Sequence, residues 1–184
     1  MNKNNWMEID DVSYFLYGEE ILYEKHTGYR ACMCFKCKNI DYIPINVTRF
    51  IDIDSDEVDQ YRIMNICKDC SNVNIYSLYD LIDPNIAEAI SYFNKAGLVT
   101  KFSCEGNNNN YPYIYFSDNT FDKYANYLPD SWYVDNKDVT EFDRYIIRCK
   151  YSDIDNKKEL RKKAIHDICD VAKRIYEERK YKTW

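Results

Sequence analysis

The sequence predicts an α+β fold: a β-rich zinc-ribbon module joined to a small mixed α/β domain with a long C-terminal helix. Three observations lead there. Two Cys-x-x-Cys pairs, Cys34 with Cys37 and Cys67 with Cys70, each follow a run of strand-forming residues. Helical periodicity begins only after Tyr79 and then alternates with short strand-like runs. Finally, an apolar stripe at helical spacing runs through residues 155 to 180. These divisions predict an N-terminal segment at 1–19, the metal module at 20–76 and the α+β domain at 77–184.

The elements follow in order. Ile21 to Tyr23 and Tyr29 to Met33 read as extended runs, with Gly28 between them able to supply the positive φ of a hairpin turn. Alternation of Ile43, Ile45 and Val47 against Asn46 and Thr48 predicts a strand over 42–53, and a further strand is expected over 60–66. The acidic stretch between them, Asp52-x-Asp54-x-Asp56, starts like a calcium loop. However, Glu57 stands where such a loop needs Gly and Ile63 where it needs Glu, so a solvated connection is expected.

Asp83 as N-cap, Pro84 at the first helical position, Ile86, Ile90 and Phe93 at spacings of four and three, and Gly97 as terminator predict a helix. Strands are expected over 98–104 and 111–116, separated by the Asn-rich loop 107–110. A helix capped by Asp118 or Asn119 and stopped by Pro129 follows, then extended runs at 132–134 and 141–151. In the last run Tyr145, Ile147 and Cys149 share one face, and Arg144, Arg148 and Lys150 the other. The final helix is expected to bury Leu160, Ala164, Ile168, Val171 and Ile175.

Charge is uneven over the 184 residues. Residues 157–182 hold ten Lys or Arg against five Asp or Glu, whereas the rest of the chain holds 15 against 26, a net charge of -11. An acidic body disfavours a broad nucleic-acid groove but leaves room for a local basic stripe. No run reaches the eighteen or so apolar residues of a membrane span, and the first residues are polar and acidic, so a soluble, cytoplasmic protein is expected. The 19 Tyr, with many Lys, Asn and Ile, point to an AT-rich coding genome, which limits what a single Tyr means. Walker, dinucleotide-binding, His-Glu-x-x-His and Gly-x-Ser-x-Gly motifs are absent, which removes several common enzyme classes.

The cysteines carry the strongest chemical signal. Two residues between cysteines let a turn aim both sulfurs at one point, and two such turns supply four thiolates for a closed tetrahedral zinc site. The 29 residues between Cys37 and Cys67 leave room for a strand on each side. Cys34, Cys37, Cys67 and Cys70 are therefore the expected ligands of one structural Zn2+, with Lys36, Lys38 and Lys68 offsetting the negative charge. A redox pair, disulfides or plain buried thiols are the competing readings, and Cys32 is a competing ligand. A four-sulfur site leaves no open position and serves structure.

Cys104-Glu105-Gly106 ends a strand at a loop, a placement common for functional groups. Cysteine catalysis needs a base, and the only histidines, His26 and His166, belong to no nucleophile motif. A buried strand-end thiol with a turn glycine competes with a ligand-contacting role. The runs Tyr79-Asp80-Leu81-Ile82-Asp83-Pro84, Asn94-Lys95-Ala96-Gly97, Ser103-Cys104-Glu105-Gly106 and Tyr113-Ile114-Tyr115-Phe116, with the Cys pairs and Tyr145-Ile146-Ile147-Arg148, resemble a group of small proteins from Firmicutes phages and mobile elements. The resemblance spans about residues 34 to 150. Members carry His directly after Cys-x-Gly, where this chain has Asn107. A fainter similarity links the same segment to the Ser-Cys-Ser-Gly-Arg motif of the tRNA wybutosine-synthesis methyltransferase family. The first resemblance implies a phage or mobile-element accessory protein.

Together these features lead to an expected non-enzymatic, zinc-stabilised binding protein that presents an acidic, Tyr-rich surface to a protein partner, including inhibition of a host defence effector such as a CRISPR nuclease. Candidate contacts are Cys104, Glu105, Asn107, Tyr111, Tyr113, Trp132, Lys162 and Lys163. A nucleic-acid or nucleotide binding protein that uses the ribbon, the aromatics and the basic helix is the alternative, and an enzyme centred on Cys104 and Glu105 a third reading.

Overall fold

The computed structural model describes residues 12–17, 19–52, 63–77, 80–106, 111–135, 145–152 and 157–182. Within them the fold is α+β, with three sheets and a long C-terminal helix. β1 (Val12–Tyr17), β2 (Glu19–Met33) and β3 (Ile40–Asp52) form an antiparallel sheet in that order. β1 lies in the stretch read from sequence as a mere N-terminal segment.

The hairpin expected at Gly28 does not form. β2 runs straight through it, and Gly28 pairs in register with Ile45 while holding φ at +85°. The glycine lets a single long strand pass a conformation that a side chain would resist. The turn sits instead beyond Met33, in the segment that carries Cys34 and Cys37. β4 (Ile63–Ile66) and β5 (Val73–Tyr76) make the second hairpin, with Cys67 and Cys70 in its turn. The calcium-loop-like acidic stretch beyond Asp52 lies outside the described residues.

α1 (Ala87–Lys95) starts later than Asp83. The preceding turn is closed by the Ile86 amide donating to the Asp83 carbonyl at 3.3 Å, while the Asp83 carboxylate is occupied elsewhere. At the other end Gly97, at φ +73°, closes the helix as expected. Four antiparallel strands follow in the order β6 (Thr100–Cys104), β7 (Tyr113–Phe116), β9 (Tyr145–Cys149), β8 (Trp132–Val134). The Asp118 cap is formed, its carboxylate accepting from the Thr120 amide at 2.8 Å, but it opens a 3-10 helix, Asn119–Tyr127, instead of an α-helix.

Period-two alternation assigns the two faces of this sheet. Ile114, Phe116, Tyr145, Ile147 and Cys149 point inward, against α1, the 3-10 helix and α2 (Lys158–Lys182). Phe93, Phe116 and Phe121 make the aromatic centre, with edge-on packing of Phe93 on both partners and stacking between Phe116 and Phe121 at 4.6 Å.

α2 buries Arg161, Ala164, Ile165, Ile168, Ala172 and Ile175. Its stripe is the expected one through Ala164, Ile168 and Ile175, with Val171 packed against the core, but the first turn differs: Leu160 is 46% exposed and Arg161 lies inside. The metal hairpins and the α+β elements share a core. Ala31 of β2 exchanges two 2.9 Å backbone bonds with Ile82 and packs in the same cluster as α1 and α2.

Candidate metal centre

Both cysteine turns are built alike. Met33-Cys34-Phe35-Lys36-Cys37-Lys38-Asn39-Ile40-Asp41 matches Ile66-Cys67-Lys68-Asp69-Cys70-Ser71-Asn72-Val73-Asn74 in geometry as well as in order. In each, the first Cys amide donates to the Asn carbonyl five residues on (2.8 Å and 2.9 Å), and the residue after the second Cys donates back to the first Cys carbonyl at 2.9 Å. That residue, Lys38 or Ser71, sits in the left-handed region at φ 61° or 56°. A left-handed non-glycine costs on the order of 1–2 kcal/mol, and the paired backbone bonds hold it there.

The consequence is convergence. The sulfurs of Cys34, Cys37, Cys67 and Cys70 all lie within 4.8 Å of one another, and Cys34–Cys70 and Cys37–Cys67 approach to 3.6 Å. Ligands about 2.3 Å from a central ion sit about 3.8 Å apart at the corners of a tetrahedron. The four thiols therefore fit a metal ion that is four-coordinate and closed. Burial alone would raise the Cys34 thiol, yet the backbone amides of Cys37 and Lys36 and neighbouring thiols bring it down to about 6. Cys37 moves the other way, pushed up to about 12 by burial and by sharing one site with the other sulfurs. Cys32 is fully buried in β2, outside the cluster, and burial followed by the nearby Asp41 and Asp80 charges raises it to about 12. It is not among the converging sulfurs.

Two residues that sequence reasoning missed brace the turns crosswise. Asn74 is buried on β5, where its Oδ1 accepts from the Phe35 amide of the opposite turn at 3.1 Å and its Nδ2 donates to Cys34 Sγ at 3.7 Å. Asp41 occupies the matching place on the other hairpin. Its carboxylate accepts from the Lys68 amide at 3.5 Å and from Asn65 Nδ2 at 3.2 Å, with Lys68 Nζ at 3.4 Å. Each turn is thus held by a polar side chain from the other hairpin. Aligning the two nine-residue stretches would have found both. Of the lysines expected near the thiolates, Lys68 pairs with Asp41 and Lys38 donates to the Phe35 carbonyl at 2.7 Å. α1 supports the first turn through Ser91 Oγ, which donates to the Lys38 carbonyl at 2.6 Å.

The Cys104-Glu105-Gly106 segment is a clasp. Glu105 is 6% exposed, and its carboxylate accepts from the Asn85 amide at 2.8 Å and from Asn85 Nδ2 at 3.0 Å. Its own amide donates to Asp83 Oδ2 at 3.0 Å, and its carbonyl accepts from Arg161 Nη1 at 2.6 Å. The carboxylate braces the turn that leads into α1, before the N-cap Ile86. This explains the late start of α1 and the inward turn of Arg161. Cys104 is half-buried, with Sγ accepting from the Gly106 amide at 3.3 Å, and His166 lies on the exposed face of α2 beside Asp170.

Other expected contacts separate. Trp132, expected at the surface, is 3% exposed and donates through Nε1 to the Ala164 carbonyl at 2.8 Å, a core anchor for α2. Tyr111 is exposed and Tyr113 half-buried on the outer sheet face. Lys162 pairs with Glu159 at 2.9 Å and lines a cleft of about 520 Å³ between the start of α1 and α2, and Lys163 is exposed. Asn107 lies outside the described residues. No helix among the described residues is long and apolar enough to cross a membrane. Comparison of the chain with family models, curated proteins and solved structures finds no match.

Proposed function

We propose that the chain is a zinc-stapled, non-enzymatic binding protein that docks onto a protein partner. One observation carries this reading. On the β4–β5 hairpin, Met64 pairs with Ile75 and Ile66 with Val73, and these four side chains, 53% to 70% exposed, share one face. The opposite face buries Asn74 and Tyr76. Aliphatic groups offer nothing to a phosphate or a sugar, whereas fully burying one such side chain stabilises a contact by about 1.5–3 kcal/mol. A two-stranded hairpin is too small to keep such a face flat by itself, and the all-sulfur site beside it supplies the rigidity. Zinc is the ion that suits four closed thiolates.

Use of Glu105 as a helix clasp supports a binding role over chemistry at that segment. An apolar anchor set in an acidic body, net -11 outside residues 157–182, matches a partner with a basic channel. A nucleic-acid-handling host defence effector, such as a CRISPR nuclease, in the cytoplasm of the host of a phage or mobile element is the partner of this reading. The test is capture from host lysate by the zinc-bound chain and by the double variant Met64→Glu with Ile75→Glu. The reading expects the chain to retain a nucleic-acid-handling protein at low salt and the variant, with unchanged zinc content, to lose it. Equal capture by both, or no capture by either, contradicts it.

A further inference from the structure

The outward face of the four-stranded sheet is the opposite of the core in chemistry and of the metal hairpin in shape. Across it, register places Phe102 beside Tyr115 and Ile146, and Cys104 beside Tyr113, Arg148 and Tyr133. Phe102 is 54% exposed and meets Tyr115 edge-on at 5.9 Å. The Arg148 guanidinium lies 5.7 Å from the Tyr113 ring centre and is fixed there by Asp135 at 2.6 Å. These groups enclose a shallow hollow of about 260 Å³, walled by three rings, one isoleucine and one guanidinium. A second cleft, of about 310 Å³, shares Phe102 and Tyr113 with the first and lies between β6 and the first cysteine turn. Its lining differs: among mostly apolar walls it includes Lys38, whose ammonium donates to the Phe35 carbonyl at 2.7 Å, Lys101, Thr100, Ser103 and one carboxylate, Asp80.

A flat aromatic hollow beside a cleft edged by two lysines and two hydroxyl residues pairs the two chemistries of a nucleotide: a π-face to stack and an anion to hold. We infer that this sheet face binds single-stranded nucleic acid, with a base stacked in the hollow of Phe102, Tyr113 and Tyr115 and the backbone passing over Lys101 and Lys38. Among the described residues the helices pack on the other face, and Phe102 is exposed on this one. Few cations take part, so the acidic body leaves affinity resting on stacking, with a shallow dependence on salt. Of the parts the sequence suggested for nucleic-acid contact, the ribbon, the aromatics and the basic start of α2, the last is not part of this surface. The inference stands apart from the protein-docking reading, because it uses a different sheet.

Fluorescence anisotropy of a labelled twelve-residue oligouridine, titrated with full-length zinc-bound protein at low and physiological salt, tests it. Binding should weaken 5- to 100-fold in Phe102→Ala and in Tyr115→Ala, in line with the stacking contribution of one ring. Lys101→Ala should weaken it while lowering the salt slope by about one phosphate contact. Lys162→Ala with Lys163→Ala, and the Met64→Glu with Ile75→Glu variant, should bind as the parent does. Each variant is compared at equal zinc content and melting temperature. No binding by the parent chain at low salt overturns the inference, as does binding that survives both ring truncations or is lost in the α2 variant instead.

Discussion

Asn74 shows how much a single amide can organise. It accepts from the amide of one cysteine turn, donates to the sulfur of that turn, and belongs to the hairpin that bears the other turn. Polar partners behind a metal's ligands set their orientation and affect affinity by about 10- to 100-fold. Asn74→Leu, similar in volume but without the amide, should weaken zinc binding by that order and destabilise the fold by about 1–3 kcal/mol, because the Phe35 N–H loses its acceptor. Chelator competition and denaturant melts measure the two effects. Asp41→Asn retains an acceptor for the Lys68 amide and should be milder on both counts.

The four converging cysteines were legible in the sequence because spacing alone encodes them, whereas Asp41 and Asn74 show only when the two turns are aligned, since a buried and a surface polar residue look the same in a single stretch. Glu105 illustrates the same limit. Its place beside Cys104 at a strand end reads as a reactive constellation, yet its partners, Asn85, Asp83 and Arg161, come from segments that only folding brings near.

At the scale of elements, the expectations that held were those set by local chemistry: Gly97 as a helix stop, Asp118 as a cap, and Tyr145, Ile147 and Cys149 on the core face of β9. The expectations that changed depended on partners. Gly28 marks a turn in isolation, but thirteen paired positions with β3 draw β2 through it as one strand. The apolar stripe of α2 was read with Leu160 inward. The clasp at Glu105 instead recruits Arg161, and Leu160 faces water. Truncation distinguishes the two faces: Ile168→Ala should cost about 2–5 kcal/mol as a cavity in the shared core, and Leu160→Ala no more than about 0.5 kcal/mol. Chemical denaturation of the two variants measures both. A large loss at Leu160 would mean that the first turn of α2 also packs on the core.

Across the whole molecule, the four-thiol cluster joins two hairpins that are distant in sequence, one of which carries the exposed aliphatic face proposed for docking. The first cysteine turn is tied to α1 through Ser91, and β2 to the common core through Ala31, so loss of the ion should be felt beyond the ribbon. Opening the site by Cys67→Ala removes one thiolate from a closed set and should cost several kcal/mol, since binding energy in such sites is folding energy. The aliphatic hairpin face lies on the hairpin that bears Cys67 and Cys70, whereas the aromatic face belongs to a different sheet. The most direct measurement is elemental mass spectrometry of the chain purified without added zinc, read together with its melting temperature before and after chelation. The account predicts about one zinc per chain, lost in Cys67→Ala, and a marked fall in melting temperature when the ion is removed. A chain that carries no metal and melts at the same temperature with or without chelator would contradict it.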